Sequence, residues 1–148
     1  MATNTDRVEQ AVACFKEGFS CSQAILSSFA EGFGLDRNMA LKLAGGFGGG
    51  MGRMALTCGA VTGAYMVIGL KHGATTAQDR QAKERTYQLV RAFNEKFKSR
   101  NQSVICKDLL GCDISTPTGF EEAGQRNLLT TVCPKLVQDA AEVLEEIL

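Results

Sequence analysis

The sequence predicts an all-α fold: a single-domain helical bundle of five or six main helices, with a glycine-rich loop before the central one. Three observations carry this prediction. No segment sustains a period-two alternation of apolar and polar residues. Apolar residues recur instead at helical spacing in successive stretches. Residues that cap helix N-termini precede those stretches, and glycines follow them. The 148 residues fit one domain over positions 1–148, and 45% hydrophobic residues suffice for a core without disulfide staples.

The first helix is predicted to start near Thr5 or Asp6, with Val8, Ala11, Val12, Phe15 and Phe19 on one face, and to end at Gly18. Cys14 lies off that stripe. The second opens on Ser20-Cys21-Ser22-Gln23, a capping box that makes Cys21 the first helical residue. Ile25 and Phe29 continue inward, and Gly32 or Gly34 stops it. Asp36 caps a third helix, with Met39, Ala40, Leu43 and Phe47 as its apolar face, which runs into the glycine run Gly45 to Gly52.

Thr57 is expected to cap the fourth helix, Cys58 to about His72, with Lys71 and His72 complementing the dipole and Gly73 giving a left-handed exit. Its uncharged stretch from Met54 to Leu70 is short for a membrane span and reads as a buried central helix. Gly59 and Gly63, four apart, allow another helix to approach closely. Thr75 or Thr76 caps a long fifth helix to about Ser99, with Ala82, Leu89, Val90, Phe93 and Phe97 inward and a basic, solvated outer face. A short helix over about Val104 to Leu110 ends at Gly111, and a further turn or helix runs through Phe120 to Gly124. In the last helix Pro134 takes the first helical position and Cys133 the cap, with Leu136, Val137, Ala140, Leu144 and Ile147 facing the core.

Lys plus Arg number 16 and Asp plus Glu 16, so the formal net charge is zero. That argues against a nucleic-acid or anionic-membrane binder, which needs a basic excess. The N-terminal residues show no apolar leader core, so the expected location is cytoplasmic. The cytosol keeps thiols reduced, which turns six cysteines away from a disulfide framework and toward redox, catalytic or metal roles. Four of the six fall at predicted helix starts: Cys21, Cys58, Cys106 and Cys133. A helix N-terminus favours a thiolate over a thiol. Cys58 has the strongest setting, with Gly59 leaving its sulfur open and Arg53 near in sequence. Plain core packing is the competing account, because free cysteine also behaves as a small hydrophobe.

The segment Cys58-Gly59-Ala60-Val61-Thr62-Gly63 resembles the signature of the C_GCAxxG_C_C family of redox-active proteins, named for four shared cysteines and a Cys-Gly-Ala-x-x-Gly motif. The resemblance extends to Phe19-Ser20-Cys21-Ser22-Gln23, Gly48-Gly49-Gly50-Met51-Gly52, Cys106-Lys107-Asp108-Leu109-Leu110-Gly111 and Cys133-Pro134-Lys135. It implies that Cys21, Cys58, Cys106 and Cys133 are the family cysteines and that Cys14 and Cys112 are additions. Cys112 is close enough in sequence to Cys106 to exchange with it. Members are often encoded beside transporter genes, which implies a transporter as a partner and leaves a non-catalytic accessory domain as one alternative.

Two mechanisms fit four such thiols. In one, Cys58 is a thiolate nucleophile, Cys21 resolves the intermediate, and a redox partner or small thiol completes the exchange without a cofactor. In the other, Cys21, Cys58, Cys106 and Cys133 together form a metal site for zinc or an iron–sulfur cluster. The absence of a Cys-x-x-Cys pair favours the first. The glycine run lacks the Lys-Ser/Thr of a phosphate loop and reads as a tight connection with unusual dihedrals, packed near the cysteines. His72 is accounted for by helix capping, and Asp108 and Asp113 as solvated carboxylates.

Overall fold

The computed structural model describes residues 4–148; Met1, Ala2 and Thr3, part of the stretch read as lacking a leader, lie outside them. Among the described residues the architecture is all-α. It comprises α1 (Asn4–Lys16), α2 (Cys21–Ala30), α3 (Arg37–Ala44), α4 (Gly59–His72), α5 (Arg80–Asn101), α6 (Cys106–Leu110), α7 (Pro117–Gln125), α8 (Leu128–Thr131) and α9 (Cys133–Ile147), plus a single 3-10 turn at Glu31–Phe33. Nothing in the sequence signals α8, whose 4 residues are too few to show a period. Among the described residues no helix is long and apolar enough to cross a membrane.

The centre of the molecule is the pairing of α2 with α4. Ala60, Val61, Ala64, Val67 and Ile68 of α4 are fully buried, as the uncharged run predicts. The two backbones touch because Gly59 and Gly63 carry no side chain. A Cβ on Gly63 would lie 3.0 Å from the Ser22 carbonyl oxygen, and one on Gly59 3.1 Å from the Ser22 nitrogen. Around this pair, α1 and α3 pack on α2, while α9 packs on α1, α4 and α5. Phe29, Phe93 and Phe97 are among the largest fully buried side chains. Each contributes roughly 1.5–3 kcal/mol of apolar burial.

Several expectations are corrected. The buried face of α3 is Ala40 and Ala44; Met39 and Leu43 point outward, 56% and 60% exposed. Only small residues fit there because the start of α2 holds the end of α3 against itself. Gln23 Nε2 donates to the Leu41 carbonyl at 3.0 Å and Ser22 Oγ to the Ala44 carbonyl at 2.9 Å. The cap of α5 is Asp79, whose carboxylate accepts from the Ala82 N–H at 3.1 Å, not Thr75 or Thr76. Asp ranks above Thr as an N-cap. The basic face of α5 is not simply solvated. Arg100 reaches Asp139, Glu142 and Glu146 of α9, and Lys96 also reaches Glu146. Gly73 leaves α4 with extended dihedrals (φ −62, ψ 147) rather than left-handed ones. Glycine is needed there for room, since a Cβ would lie 2.5 Å from the Gly69 carbonyl oxygen. Cys14 is buried at the junction with α2, its sulfur 3.6 Å from Ser27 Oγ, although it falls outside the α1 stripe read from periodicity.

Candidate functional site

The start of α2 follows its local sequence. Ser20 Oγ accepts from the Gln23 N–H, and Gln23 Oε1 accepts from the Ser20 N–H at 3.0 Å. The capping box therefore forms, and Cys21 is the first residue of the helix.

Cys58 arrives differently. Thr57 forms an isolated antiparallel bridge with Ile105, so its backbone is committed to a distant segment and does not cap α4. The Cys58 N–H donates to the Val104 carbonyl at 2.8 Å, while the Cys58 carbonyl accepts from Val61 and Thr62. Cys58 is thus the N-cap itself, and α4 begins at Gly59. Its sulfur takes the place where a Ser or Asp oxygen commonly sits. It makes no conventional cap hydrogen bond, yet the Ala60 and Val61 N–H groups stand close enough to favour its ionised form.

The same bridge sets Cys106. Its N–H donates to the Leu56 carbonyl at 2.6 Å, and it becomes the first residue of α6 after Ile105. Ser103 supports the turn rather than capping the helix: its Oγ accepts from the Ile105 N–H at 3.0 Å and contacts Asp108 at 3.2 Å. Cys133 is the first residue of α9 rather than its cap. The chain is already helical when it arrives, because Val132 donates to Leu128 and accepts from Leu136. Pro134 then follows inside the first turn, where its missing N–H costs no helical bond.

All four cysteines line one cavity of about 810 Å³. They are nearly closed off from bulk water: Cys58 is 4% exposed, Cys133 6%, Cys106 7% and Cys21 8%. The glycine loop forms one wall, and two of its glycines are demanded by contact. A Cβ on Gly48 would lie 2.5 Å from Ser20 Cβ, and one on Gly50 2.7 Å from Cys106 Cβ. The sequence reading anticipates this backbone near the cysteines but does not point to Lys16 or Phe120, which also line the cavity. Those two come from α1 and α7, and no local pattern links them to the cysteines.

The thiols differ in acidity. Hydrogen bonding toward Cys133 first and Cys58 next, with burial, holds the Cys21 pKa well above the ordinary thiol value. The hydrogen bond from Cys21 is the main reason the Cys58 pKa is lowered; the Ala60 and Val61 N–H groups help, against burial. Arg53, expected to assist, is not among those causes; its guanidinium lies over the Phe120 ring at 4.3 Å. Cys106 is pushed up to about 12, by burial first and then by Cys58, Cys133 and Asp113. The arrangement lowers the pKa of Cys58 while raising those of Cys21 and Cys106.

The remaining candidates stand apart. Cys112 donates to the Gly119 carbonyl at 2.9 Å and meets Glu122 at 3.5 Å instead of turning to Cys106. Burial and the Glu122 carboxylate keep it protonated. Asp113 is tied to Ser115, and His72, whose pKa burial lowers, is at the far end of α4. All six cysteines are free thiols. Among the described residues, no group of three or more His, Cys, Asp or Glu is arranged to hold a metal ion.

A family model described as "Putative redox-active protein (C_GCAxxG_C_C)" matches residues 19–147. No curated protein and no solved structure matches the chain.

Proposed function

This chain belongs to the C_GCAxxG_C_C family, and we propose that it works as a thiol–disulfide redox protein with Cys58 as nucleophile and Cys21 as resolving thiol. The observation that carries the reading is that the two share one buried cavity, with Cys58 as the N-cap of α4. Cys21, whose own pKa is raised, is the first cause of the lowered Cys58 pKa, and the helix N-terminus favours the thiolate as well.

The chemistry balances with a disulfide as the oxidant. The Cys58 thiolate attacks one sulfur of a disulfide R–S–S–R; that S–S bond breaks, a Cys58–S–R bond forms, and one RS⁻ leaves. Cys21 then gives up its proton and attacks the Cys58 sulfur. The mixed disulfide breaks, a Cys21–Cys58 disulfide forms, and the second half leaves. Two protein thiols are oxidised, and the disulfide, with the two protons, becomes two RSH. Cys133, also in contact with Cys21, is the thiol to exchange into the new disulfide, while Cys106 keeps its proton and stays reduced. The cycle suits a reducing compartment, where free thiols persist.

The test is peptide mapping of the reduced protein after one equivalent of a small disulfide. A Cys21–Cys58 linkage, reversed by dithiothreitol, is the expected product. Failure of iodoacetamide to modify Cys58 in the folded protein would leave core packing as the better account. A stoichiometric metal content in protein purified without chelator would favour the alternative in which the four cysteines hold a metal.

A further inference from the structure

The cavity has a charge that the whole chain lacks. Formal net charge is zero, yet among the described residues the ionisable ones lining the cavity, cysteines aside, are Lys16 and Arg53, with no Asp or Glu. The ion pairs of the described residues lie elsewhere, between α1 and α9, within α7 and its end, and around α9. Asp113, the carboxylate that acts on Cys106, does not line the cavity.

Arg53 is held there against local preference. Its φ is 63, in the left-handed region that non-glycine residues rarely adopt, and its guanidinium is laid over Phe120, another lining residue. Backbone strain of this kind clusters at functional sites. The positive group thus rests on Phe120 at the exposed side of the cavity and takes no part in lowering the Cys58 pKa. Its available role is toward whatever enters.

We infer that the cysteine cavity selects a low-molecular-weight disulfide whose halves carry carboxylates, with Arg53 and Lys16 drawing in the anionic groups while the sulfur reaches Cys58. This rests on the redox reading above and names its substrate class. A volume of about 810 Å³ suits a ligand of peptide-fragment size. The low exposure of the four sulfurs disfavours a disulfide carried on the surface of a folded protein. The exchange balances as already written: the anionic disulfide is reduced to two thiols while Cys58 and Cys21 are oxidised.

The experiment compares the rate of Cys58 oxidation by three probes: oxidised glutathione (anionic), bis(2-hydroxyethyl) disulfide (neutral) and cystamine (cationic). The neutral probe gives the reference rate in each protein. In Arg53→Glu the anionic-to-neutral ratio should fall about tenfold and the cationic-to-neutral ratio should rise. Arg53→Asn, which tolerates a left-handed backbone, should move both ratios the same way by less, and keeps the test sound if the glutamate disturbs the loop. Unchanged ratios in both variants overturn the inference. A second arm separates it from the redox reading. S-methylglutathione is anionic and has no disulfide to exchange, so its binding is read by calorimetry. If no probe oxidises Cys58, the redox reading fails; Arg53-dependent binding of S-methylglutathione then upholds anion selection alone. Absence of that binding as well overturns both.

Discussion

At the scale of single residues, the decisive pair is Cys21 and Cys58, and their opposite acidities are one effect seen from two sides. A shared proton that stays on Cys21 stabilises charge on Cys58. Removing the donor in Cys21→Ala should move the pH profile of Cys58 alkylation by iodoacetamide to higher pH, because the thiolate loses its main stabiliser. A profile unchanged in the variant would show that the helix N-terminus alone sets the acidity. The same substitution should leave the reaction with a small disulfide stalled as a mixed disulfide on Cys58, visible by intact mass. Much of this site is legible in the sequence. The capping box assigns Cys21 its position from four adjacent residues. Cys58 sits one position from where its neighbours suggest, because the partner of Thr57 is Ile105, and a bridge between distant segments leaves no local trace. Cys133 is displaced for a related reason: α8 delivers a chain that is already helical.

At the scale of elements, the glycine loop combines necessity with strain. Five consecutive residues, Gly49, Gly50, Met51, Gly52 and Arg53, have positive φ, and Ala55 follows. Loop carbonyls of Phe47, Gly48, Gly49 and Gly50 accept from Met51, Arg53, Ala55 and Leu56 in turn. Gly50→Ala should be severely destabilising. Its φ is 71, and a Cβ would lie 2.6 Å from the Leu56 nitrogen and 2.7 Å from Cys106 Cβ. A loss of about 3 kcal/mol or more is expected in urea unfolding, from strain and overlap together. Met51→Gly should have the opposite sign and raise stability by up to about 1 kcal/mol, since it relieves a left-handed methionine. If both variants unfold like the parent, the loop relaxes freely and its strain is not set by contact. The glycine count announces unusual dihedrals here. Nothing in the sequence announces that Met51, Arg53 and Ala55 share them, because their N–H groups close the loop on the Phe47, Gly48 and Gly49 carbonyls, a pattern that these residue types do not signal. The face of α3 is hidden for a similar reason: Met39 and Leu43 match the helical period, but Gln23 and Ser22 draw the adjoining side, with Ala40 and Ala44, inward.

At the scale of the whole molecule, the buried thiols tie stability to pH. The unfolded chain ionises its cysteines near the ordinary value of 9.0, while the folded chain keeps Cys21 protonated well beyond that and Cys106 to about 12. Both folded values are raised, so both contributions are fully present below pH 9 and are lost as pH climbs toward the folded values. Above about pH 9 the unfolded state holds fewer protons, and stability should fall by about 1.4 kcal/mol per pH unit for each such thiol. Cys58 has the opposite sign. Its folded value is lowered, so its contribution is present above the unfolded value and fades as pH drops through the folded one. One lowered thiol against three raised ones, Cys112 being the third, gives a net alkaline loss. Thermal unfolding under anaerobic reductant should therefore show a melting temperature that declines from about pH 9 to about pH 11. Cys106→Ala, compared with its own value near pH 7, should decline less steeply, because one of the raised thiols has gone. Equal slopes in the two proteins would mean that Cys106 ionises as freely in the folded chain as in the unfolded one. Burial of that sulfur beneath Gly50 would then not be what keeps its proton in place.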